Sequence, residues 1–515
     1  MRRVLLAAAC AMAALRCSVP ATAIAQAAPA SAVPTGTLHI GLREDPDLLD
    51  PTLGSSYVGR IVFAAMCDKL FDIGPNLQIV PQLATGHEYK DPTHLVIHLR
   101  KGVVFQDGEP FNAEAVKYKL LRDLHIKGSM RAGQVNAIQS IETIDPLTVE
   151  LVLSHPSSPL LAQLAGRPGI MLAPKVAEKE GRDFGLHPVC AGPFSFVQRV
   201  PEEKITVQRF PGYWNAQAIH FDRVEYRPIT DSSVRLADLQ AGSLDLVEYI
   251  VPTDVAAVKR DPKLKLAIDN SLAYEGITFN VGNGPAAKTL TGGSALVRRA
   301  FQLAIDPKAL IQVVYDGMYT PTAQANPPSS PYYFKSIQPP ARNIAEAKAL
   351  LKQAGVTVPV PVTLTIPTSP DLQQAGQVVQ SMVKEAGFDV KIRAEEFASS
   401  LQAGYHGDFQ AYMIGWSGRV DPDGNMWPFL HTGGTFNYGH YSDPTMDKLL
   451  DDARLLTGLD QRRALYAKVW AQVQKDVPLV YLWNPTNTVG MKKKLMGFQQ
   501  VPDGIIRLQG VYVAK

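Results

Sequence analysis

The chain has 515 residues, of which 51 are lysine or arginine and 48 are aspartate or glutamate. Because these charges nearly cancel, the composition argues against nucleic acid or an anionic membrane surface as the main partner. The length is more than one hydrophobic core usually serves, so two or three packed units are expected.

The N-terminal segment has the composition of a cleaved export signal. Two arginines precede a short apolar run, and small residues follow with an Ala-x-Ala site that ends at Ala25. The apolar run from Val4 to Leu15 is shorter than the roughly 20 residues needed to span a bilayer. We therefore expect a signal peptide over residues 1–25, a flexible tether over residues 26–34, and a periplasmic mature protein.

Two cysteines, Cys67 and Cys190, remain once this leader is removed. In an oxidising compartment, two thiols so far apart in sequence either form one disulfide or lie buried as separate small apolar residues. Neither has the spacing of a metal site.

Strand and helix patterns alternate irregularly in the first half of the chain. TLHIGL predicts a first strand, and THLVIHL alternates apolar and polar residues as a half-buried strand does. Asn112 precedes apolar residues at helical spacing and predicts a capped helix start. SIETIDPLTVELVL predicts two strands around an Asp-Pro turn.

From Val297 the pattern changes to regular alternation of helices and strands. Asn343 and Glu346 form a capping box for a helix that Gly355 ends. VTLTI, a helix over residues 372–385 and DVKIRAEEF predict a β-α-β unit with parallel strands. DFQAYMIGW is a further strand, two long helices follow, and PLVYLW is a late strand expected to return to the first lobe. The fold class is α/β.

The loop GWSGRVDPDGN, residues 415–425, is the first candidate for a binding site. It directly follows a strand, and ligands of open α/β sheets bind beyond the carboxyl ends of strands. Large aromatic residues next to glycine or polar groups add further candidates. The expected ligand-contacting aromatic residues are Tyr57, Tyr274, Trp416, Phe436 and Trp483.

Catalytic and metal-binding signatures are absent from the sequence. A nucleophile elbow needs glycine two residues after Ser417, where Arg419 stands. The acids of DPDGN lack the glycine and glutamate positions of a calcium loop. No H-E-x-x-H motif occurs. We therefore expect no enzyme activity, no cofactor and no metal.

Longer stretches of sequence carry a family resemblance. VFAAMCDKLFDIGPNLQIVPQLATGHEYKDPTHLVIHLRKGVVFQDGEPFNAEAVKYKL strongly resembles the signature region of the large extracytoplasmic solute-binding proteins of ABC importers. That family includes dipeptide, oligopeptide, nickel and glutathione binders. AGPFSF, RFPGYW, VRRAFQLAIDPKAL, the GWSG loop and YSDPTMDKLLDDAR then follow in the family's order.

The resemblance implies a two-lobed periplasmic-binding-protein-like fold with a hinge, of the large three-segment type. Lobe I would combine residues 35–69, 185–275 and 480–515, with a subdomain at 70–184, and lobe II would be residues 276–479. Cys67 and Cys190 would then share a lobe, which favours the disulfide. The resemblance also implies a monomer that closes over a solute and delivers it to permease subunits in the inner membrane.

Arg419 departs from the pattern of peptide-binding relatives. They commonly carry an aspartate three residues after the tryptophan, where it pairs with the peptide's amino group. A guanidinium there suits a carboxylate or phosphate instead. Arg419 either contacts such a ligand, pairs with Asp421 or Asp423, or faces solvent, and Asp421 is the alternative acid for an amino group. Ser417, in the same loop, is also expected to contact the ligand.

The expected ligand is a peptide or peptide-like solute. A non-peptide anionic solute, such as a carboxylate or an opine-like conjugate, is the alternative suggested by Arg419. A sensory binding protein that presents its ligand to a receptor would have the same sequence features. A tolerant peptide binder would hold its ligand mainly by main-chain hydrogen bonds.

Overall fold

Three large β-sheets organise residues 36–514, which are the residues described by this computed structural model. The expected signal peptide and tether lie outside the described residues. The first sheet has seven strands, with its inner strand Thr37–Leu42 parallel to two neighbours. In spatial order the strands are Leu264–Asn270, Thr486–Lys492, Leu246–Val247, Thr37–Leu42, Arg223–Pro228, Lys204–Arg209 and Phe194–Val200.

The second sheet has six strands and contains the predicted β-α-β unit. Val360–Pro367 and Phe388–Glu395 are parallel neighbours joined through the helix Pro370–Lys384, so this prediction is confirmed. The helix buries Ala375 and Val379 on the sheet because apolar residues recur at helical spacing. In spatial order the strands are Thr320–Pro321, Leu479–Asn484, Tyr274–Phe279, Ala411–Trp416, Val360–Pro367 and Phe388–Glu395.

The third sheet is antiparallel and belongs to the segment expected to form a subdomain. Asn112 Oδ1 accepts a hydrogen bond of 3.1 Å from the amide of Ala115, which confirms the predicted cap of the helix Ala113–His125. The strand pair around the Asp-Pro turn is confirmed too. In spatial order the strands are Ala84–Asp91, His94–Leu99, Thr148–Leu153 and Ile138–Asp145.

Helices cover the faces of these sheets. Asn343 caps its helix as predicted, since Asn343 Oδ1 accepts from the amide of Glu346 at 3.0 Å. The reciprocal bond of the predicted capping box is not formed, because the Glu346 side chain accepts from Asn343 Nδ2 at 3.0 Å while the Asn343 amide donates to the carbonyl of Leu303 at 2.8 Å. Within residues 36–514, no helix combines the length and apolarity needed to cross a membrane. The other α-helices are Tyr57–Met66, Ala132–Val135, Leu160–Leu164, Pro174–Glu180, Ser232–Ala241, Val255–Arg260, Leu290–Gly293, Ala295–Leu303, Pro307–Tyr315, Ile344–Gln353, Phe397–His406, Asp423–Leu430, Pro444–Leu455 and Leu459–Asp476. Short strand pairs are Phe71–Ile73 with Ile79–Pro81, and Leu495–Met496 with Tyr512–Val513.

The chain passes between the first and second sheets twice. It leaves the first sheet after Asn270 and enters the second at Tyr274, then returns between Asn484 and Thr486. The expectation that PLVYLW returns to the first lobe was wrong. That strand, Leu479–Asn484, is hydrogen-bonded to Tyr274–Phe279 in the second sheet, and the strand after it makes the return.

Contacts between the subdomain and the second-sheet region hold the two sides of the cleft together. The amide of Ser158 donates to the carbonyl of Arg454 at 2.9 Å, and Gln163 Nε2 donates to Asp423 at 3.3 Å. The third-sheet segment and the second-sheet region are therefore in direct contact. On the first-sheet side, a disulfide joins Cys67 to Cys190.

Candidate functional site

A cavity of about 360 Å³ lies where the two crossing segments, the first sheet and the GWSG loop meet. This volume is at the lower end of the roughly 300–1,000 Å³ of small-molecule sites, which favours a small solute over a long peptide. Arg419 and Asp421 do not line the cavity. The expected residues that do line it are Tyr57, Tyr274, Trp416, Ser417, Phe436 and Trp483.

Trp416 ends its strand with the indole in an aromatic cluster at the cavity wall. Its ring centroid lies 5.0 Å from that of Phe429 and 4.9 Å from that of Phe436. The indole Nε1 donates to Asn425 Oδ1 at 3.1 Å, and only 8% of the residue is exposed. Trp416 therefore supports the loop as well as lining the cavity.

Two glycines allow the loop to approach its neighbours. A Cβ on Gly418, which has φ of +74°, would lie 2.1 Å from the carbonyl oxygen of Leu272. A Cβ on Gly415 would lie 2.5 Å from Glu275 Oε2. Such distances exclude any side chain at these positions without a shift of the backbone. The GWSG pattern thus reflects close packing of the loop against the first crossing segment.

Both acids of the loop already have arginine partners. Asp421 accepts two bonds of 2.8 Å from Arg462, and Asp423 accepts bonds of 2.6 and 3.0 Å from Arg454. The alternative in which one of these acids pairs with Arg419 is therefore not formed. Asp421 is also unsuited to a ligand amino group, because Arg462 already occupies both of its oxygens.

Arg419 is half-buried, and it forms no ion pair with a carboxylate among residues 36–514. Its Nη1 donates to the carbonyl of Gly418 at 2.6 Å and to Ser417 Oγ at 3.2 Å. The guanidinium carbon lies 4.2 Å from the Trp416 ring centroid, a cation–π contact. Asn425 fixes the backbone of Arg419 by accepting from its amide at 2.7 Å.

Three further arginines surround this position and form, with Arg419, the arginine cluster. Arg60 donates to the same Ser417 Oγ at 3.2 Å, and Arg131 and Arg167 are 0% and 3% exposed. Among residues 36–514, the nearest acid to the cluster within ion-pair range is Asp503, 4.0 Å from Arg60. Nε of Arg131, and Nε and Nη1 of Arg167, are buried without a hydrogen-bond partner in the described part of the chain.

The cluster is electrostatically unsatisfied. Burial, followed by repulsion from Arg60, Arg167 and Arg131, lowers the pKa of Arg419 well below its usual range. Burial and the charges of Arg131 and Arg60 lower the pKa of Arg167 in the same way. Because arginine does not deprotonate in proteins, the guanidinium groups stay charged and repel one another, and an anion placed near them would relieve that repulsion.

The cluster lies directly behind the cavity wall. Ser417, which lines the cavity, accepts from both Arg60 and Arg419. Arg167 donates to the carbonyl of Ser56, a second lining residue. An anionic group at this end of the cavity would therefore need only to replace the serine contacts to reach guanidinium groups.

Carboxylates line the rest of the cavity, and most of them have partners. Arg199 binds Asp45 at 2.8 Å, and Arg507 binds Asp503 at 2.8 Å. The Tyr249 hydroxyl donates to Asp371 at 3.0 Å, main-chain amides bind Glu396, and Glu202 is exposed. The full set is Glu44, Asp45, Glu202, Glu275, Asp371, Glu396 and Asp503.

Glu44 and Glu275 differ from the other carboxylates. Glu275 Oε1 is buried without a hydrogen-bond partner in residues 36–514. Burial, followed by the charge of Asp371, raises the pKa of Glu275 to about 8. Burial raises the pKa of Glu44 to about 8, although Arg43 opposes that shift.

Sequence reasoning missed most of these charged residues. Arg60, Arg131 and Arg167 come from three separate segments, and none belongs to a motif with known chemistry. Glu275 stands inside a strand, LAYEGITFN, where a charged residue among apolar neighbours was the available signal. A polar residue in a largely buried strand is unusual enough to mark a candidate site.

Comparisons with known proteins cover nearly the whole described chain. Residues 78–437 match the family model of bacterial extracellular solute-binding proteins, family 5 Middle. The glutathione-binding protein GsiB of Pectobacterium atrosepticum is 29% identical over 478 residues, which are 90% of this chain and 91% of that protein.

Two solved structures are similar in both fold and sequence. The periplasmic binding protein AgaA of A. tumefaciens R10, in complex with agropinic acid, has a TM-score of 0.84 and 26% identity. That alignment covers 93% of this chain and 99% of AgaA. DppA of Helicobacter pylori, in complex with the peptide STSA, has a TM-score of 0.85 and 25% identity, covering 93% and 98% of the two chains.

Proposed function

Because the chain belongs to family 5 of the bacterial extracellular solute-binding proteins, we propose that its cavity captures a small peptide-like solute with at least two carboxylates. Proteins of this family are the solute-binding components of ABC importers, and this chain is one of them. The arginine cluster carries the proposal for the ligand.

A buried charge without a partner costs several kcal/mol in real proteins. Arg131 and Arg167 are buried and Arg419 is half-buried, and among the described residues none of the three has a carboxylate within ion-pair range. Their mutual repulsion adds to that cost, which the more distant Asp123 and Asp47 offset only in part. Carboxylates would relieve it through paired, charge-assisted hydrogen bonds. Several guanidiniums in one place favour more than one carboxylate over a single one.

The names of the relatives fit this class of ligand. Glutathione has two carboxylates, and agropinic acid is also an acidic compound, so an acidic solute is common to the binders GsiB and AgaA. DppA was solved with a short peptide. A small acidic peptide or a peptide-like conjugate satisfies both the family and the arginine cluster.

Capture would proceed by closure of the two lobes about the crossing segments. We place the lobe boundaries near residues 270–274 and 484–486, with lobe I otherwise as the sequence suggested and residues 70–184 as its subdomain. Ligand that contacts both lobes only in the closed form would shift the population towards it. A permease in the inner membrane would then receive the closed, loaded monomer.

Export through a cleaved signal peptide and a periplasmic location complete the proposed function. Delivery of solute needs no covalent step, so we propose a binding role without catalysis. Delivery to a receptor rather than a permease uses the same closed form, and genes for permease and ATPase subunits next to this gene would favour import.

Native mass spectrometry of gently purified mature protein tests the ligand class. We expect the released solute to be a small compound with two or more carboxylates, and Arg167→Met protein to lose it. The exposed-site variant Arg223→Met should retain it. A bound ladder of neutral peptides, retained by Arg167→Met, would contradict the proposal.

A further inference from the structure

A second feature of the cavity is a pair of carboxylates, Glu44 and Glu275, and Glu275 Oε1 is buried without a hydrogen-bond partner in residues 36–514. Glu275 pairs in register with Gly415, and its carboxylate lies over that glycine. Its Oε2 is 2.5 Å from the position that a Cβ would occupy at residue 415. Glu44 lies on the first-sheet side of the same cavity. The pair therefore faces the cavity from both lobes.

The basic residues on this side are held by other partners. Arg43 makes two bonds of 2.8 Å to Glu248, and its guanidinium carbon lies 3.9 Å from the Tyr249 ring centroid. Arg235 donates to the main-chain carbonyls of Ile229 and Thr230. Neither arginine neutralises Glu275 through a hydrogen bond among the residues described.

A further polar group near the pair also lacks a partner. Tyr274, the neighbour of Glu275, lines the cavity, is 2% exposed, and has a hydroxyl without a hydrogen-bond partner in residues 36–514. Buried polar groups are normally hydrogen-bonded, so the Tyr274 hydroxyl and the Glu275 carboxylate oxygen are each open to a further hydrogen bond. A carboxylate calls for a cationic donor.

The acidic pair lines the cavity, whereas the arginine cluster lies behind the part of the wall that Ser417 forms. Gly415, under the Glu275 carboxylate, and Ser417, in contact with two arginines, stand two residues apart, or about 7 Å along an extended chain. The charges that most affect the pKa of Glu275 are those of Asp371, Arg43 and Glu44. The two regions are therefore close enough for one small molecule to reach both.

We infer that the ligand is a zwitterion whose cationic amino group binds between Glu275 and Glu44 while its carboxylates bind the arginine cluster. Glu275 is then a specificity-determining residue that selects free amines over acylated ones. Glu275 takes over the task that an acid at position 419 would perform, because Arg419 now serves the opposite end of the ligand. The inference rests on the proposed function for the carboxylate end.

Calorimetric titration with matched probes tests the inference. The probes are glutathione, α-glutamylglutamate and an N-carboxyalkyl amino acid, each also as its N-acetyl form and as its carboxyl ester. For at least one scaffold, we expect wild-type protein to bind the free amine at least tenfold more tightly than the N-acetyl form. Glu275→Gln should weaken the free amine at least tenfold and the N-acetyl form less than threefold, and Glu178→Gln, at an exposed site, should change neither.

Equal affinity for the free and acetylated amines, or an equal loss of both in Glu275→Gln, would overturn the inference while leaving the carboxylate proposal intact. Esters that bind wild type as well as the free acids, with discrimination of the amine retained, would overturn the carboxylate proposal alone. Absence of binding for the whole panel would contradict both.

Discussion

Two groups of arginines flank the same loop, and they differ in their partners. Arg454 and Arg462 each hold one acid of the loop, Asp423 and Asp421, through two hydrogen bonds. The arginine cluster on the other side of the loop lacks such acids within residues 36–514, apart from Asp503 at 4.0 Å from Arg60. The first group is neutralised by the acids of the loop, whereas the second has no comparable partners among residues 36–514.

The two groups of arginines are therefore expected to affect stability and binding differently. A paired arginine contributes to the stability of the fold, because removing it leaves a buried carboxylate behind. Under the proposed function, an unpaired arginine lowers the stability of the ligand-free form and contributes to binding. Substitutions in the two groups should therefore change stability in opposite directions.

The largest effect is expected for Arg454→Met. Asp423 would lose its ion partner in a buried position, where it is 1% exposed, and such a loss costs about 3–5 kcal/mol. Thermal and urea unfolding of ligand-free protein should both show the decrease. Arg223→Met, at an exposed strand position, serves as the control and should stay within about 0.5 kcal/mol of wild type. An unchanged unfolding midpoint would mean that the pair is not structural.

Arg167→Met should change stability in the opposite direction. Replacing buried ion pairs by apolar side chains can stabilise a protein by about 1–4 kcal/mol, and we expect a gain of the same order from removing this uncompensated charge. The same variant should lose about 2–5 kcal/mol of binding free energy for a carboxylate-bearing solute. Melting curves with and without the co-purifying solute measure both. If ligand-free Arg167→Met were less stable than wild type and bound normally, the arginine would be a structural residue.

Local patterns in the sequence were sufficient for most elements of the fold. The caps at Asn112 and Asn343 and the β-α-β unit were predicted because capping and periodicity act over a few residues. The sheet to which PLVYLW belongs was predicted wrongly, since membership depends on pairing with Tyr274–Phe279, about two hundred residues earlier in the chain. The apolar composition of a segment identifies it as a strand but does not show which strands pair with it.

The candidate site, like the fold, could be predicted only in part from the sequence. Trp416 and Ser417 were found because they follow a strand in a glycine-rich loop, and both line the cavity. The partners of Asp421 and Asp423 could not be found, because Arg462 and Arg454 come from later helices. A missing partner is equally invisible in sequence, which is why the arginine cluster emerged only from the structure.

Arg419→Asp sharpens the comparison by giving the cluster an acid of its own. The new carboxylate would accept hydrogen bonds from neighbouring guanidiniums, each worth about 1.5–3 kcal/mol for a charged pair. We expect a higher melting temperature for ligand-free protein and loss of the carboxylate-bearing solute. Arg419→Gln, which removes the charge without adding another, is the matched control. Identical behaviour of the two variants would refute the need for an anion in the cluster.

The last comparison concerns pH and the acidic end of the cavity. Burial raises the pKa of Glu275 to about 8 in the folded state, above its ordinary value of 4.5. The folded state then binds the proton more tightly, so the stabilisation is complete below about pH 4.5 and is lost as pH rises through 8. For one carboxyl the slope is at most about 1.4 kcal/mol per pH unit.

Unfolding of ligand-free wild type should therefore become easier between pH 5 and pH 8, with Glu44 contributing in the same direction, since burial raises the pKa of Glu44 to about 8. Glu275→Gln should reduce the slope, because its amide cannot ionise. A ligand amino group would stabilise the ionised carboxylate, so bound protein should lose less stability over the same range. A slope that is the same in wild type and Glu275→Gln would mean that Glu275 is ionised in the empty cavity, and the acidic end would then need no cation to complete it.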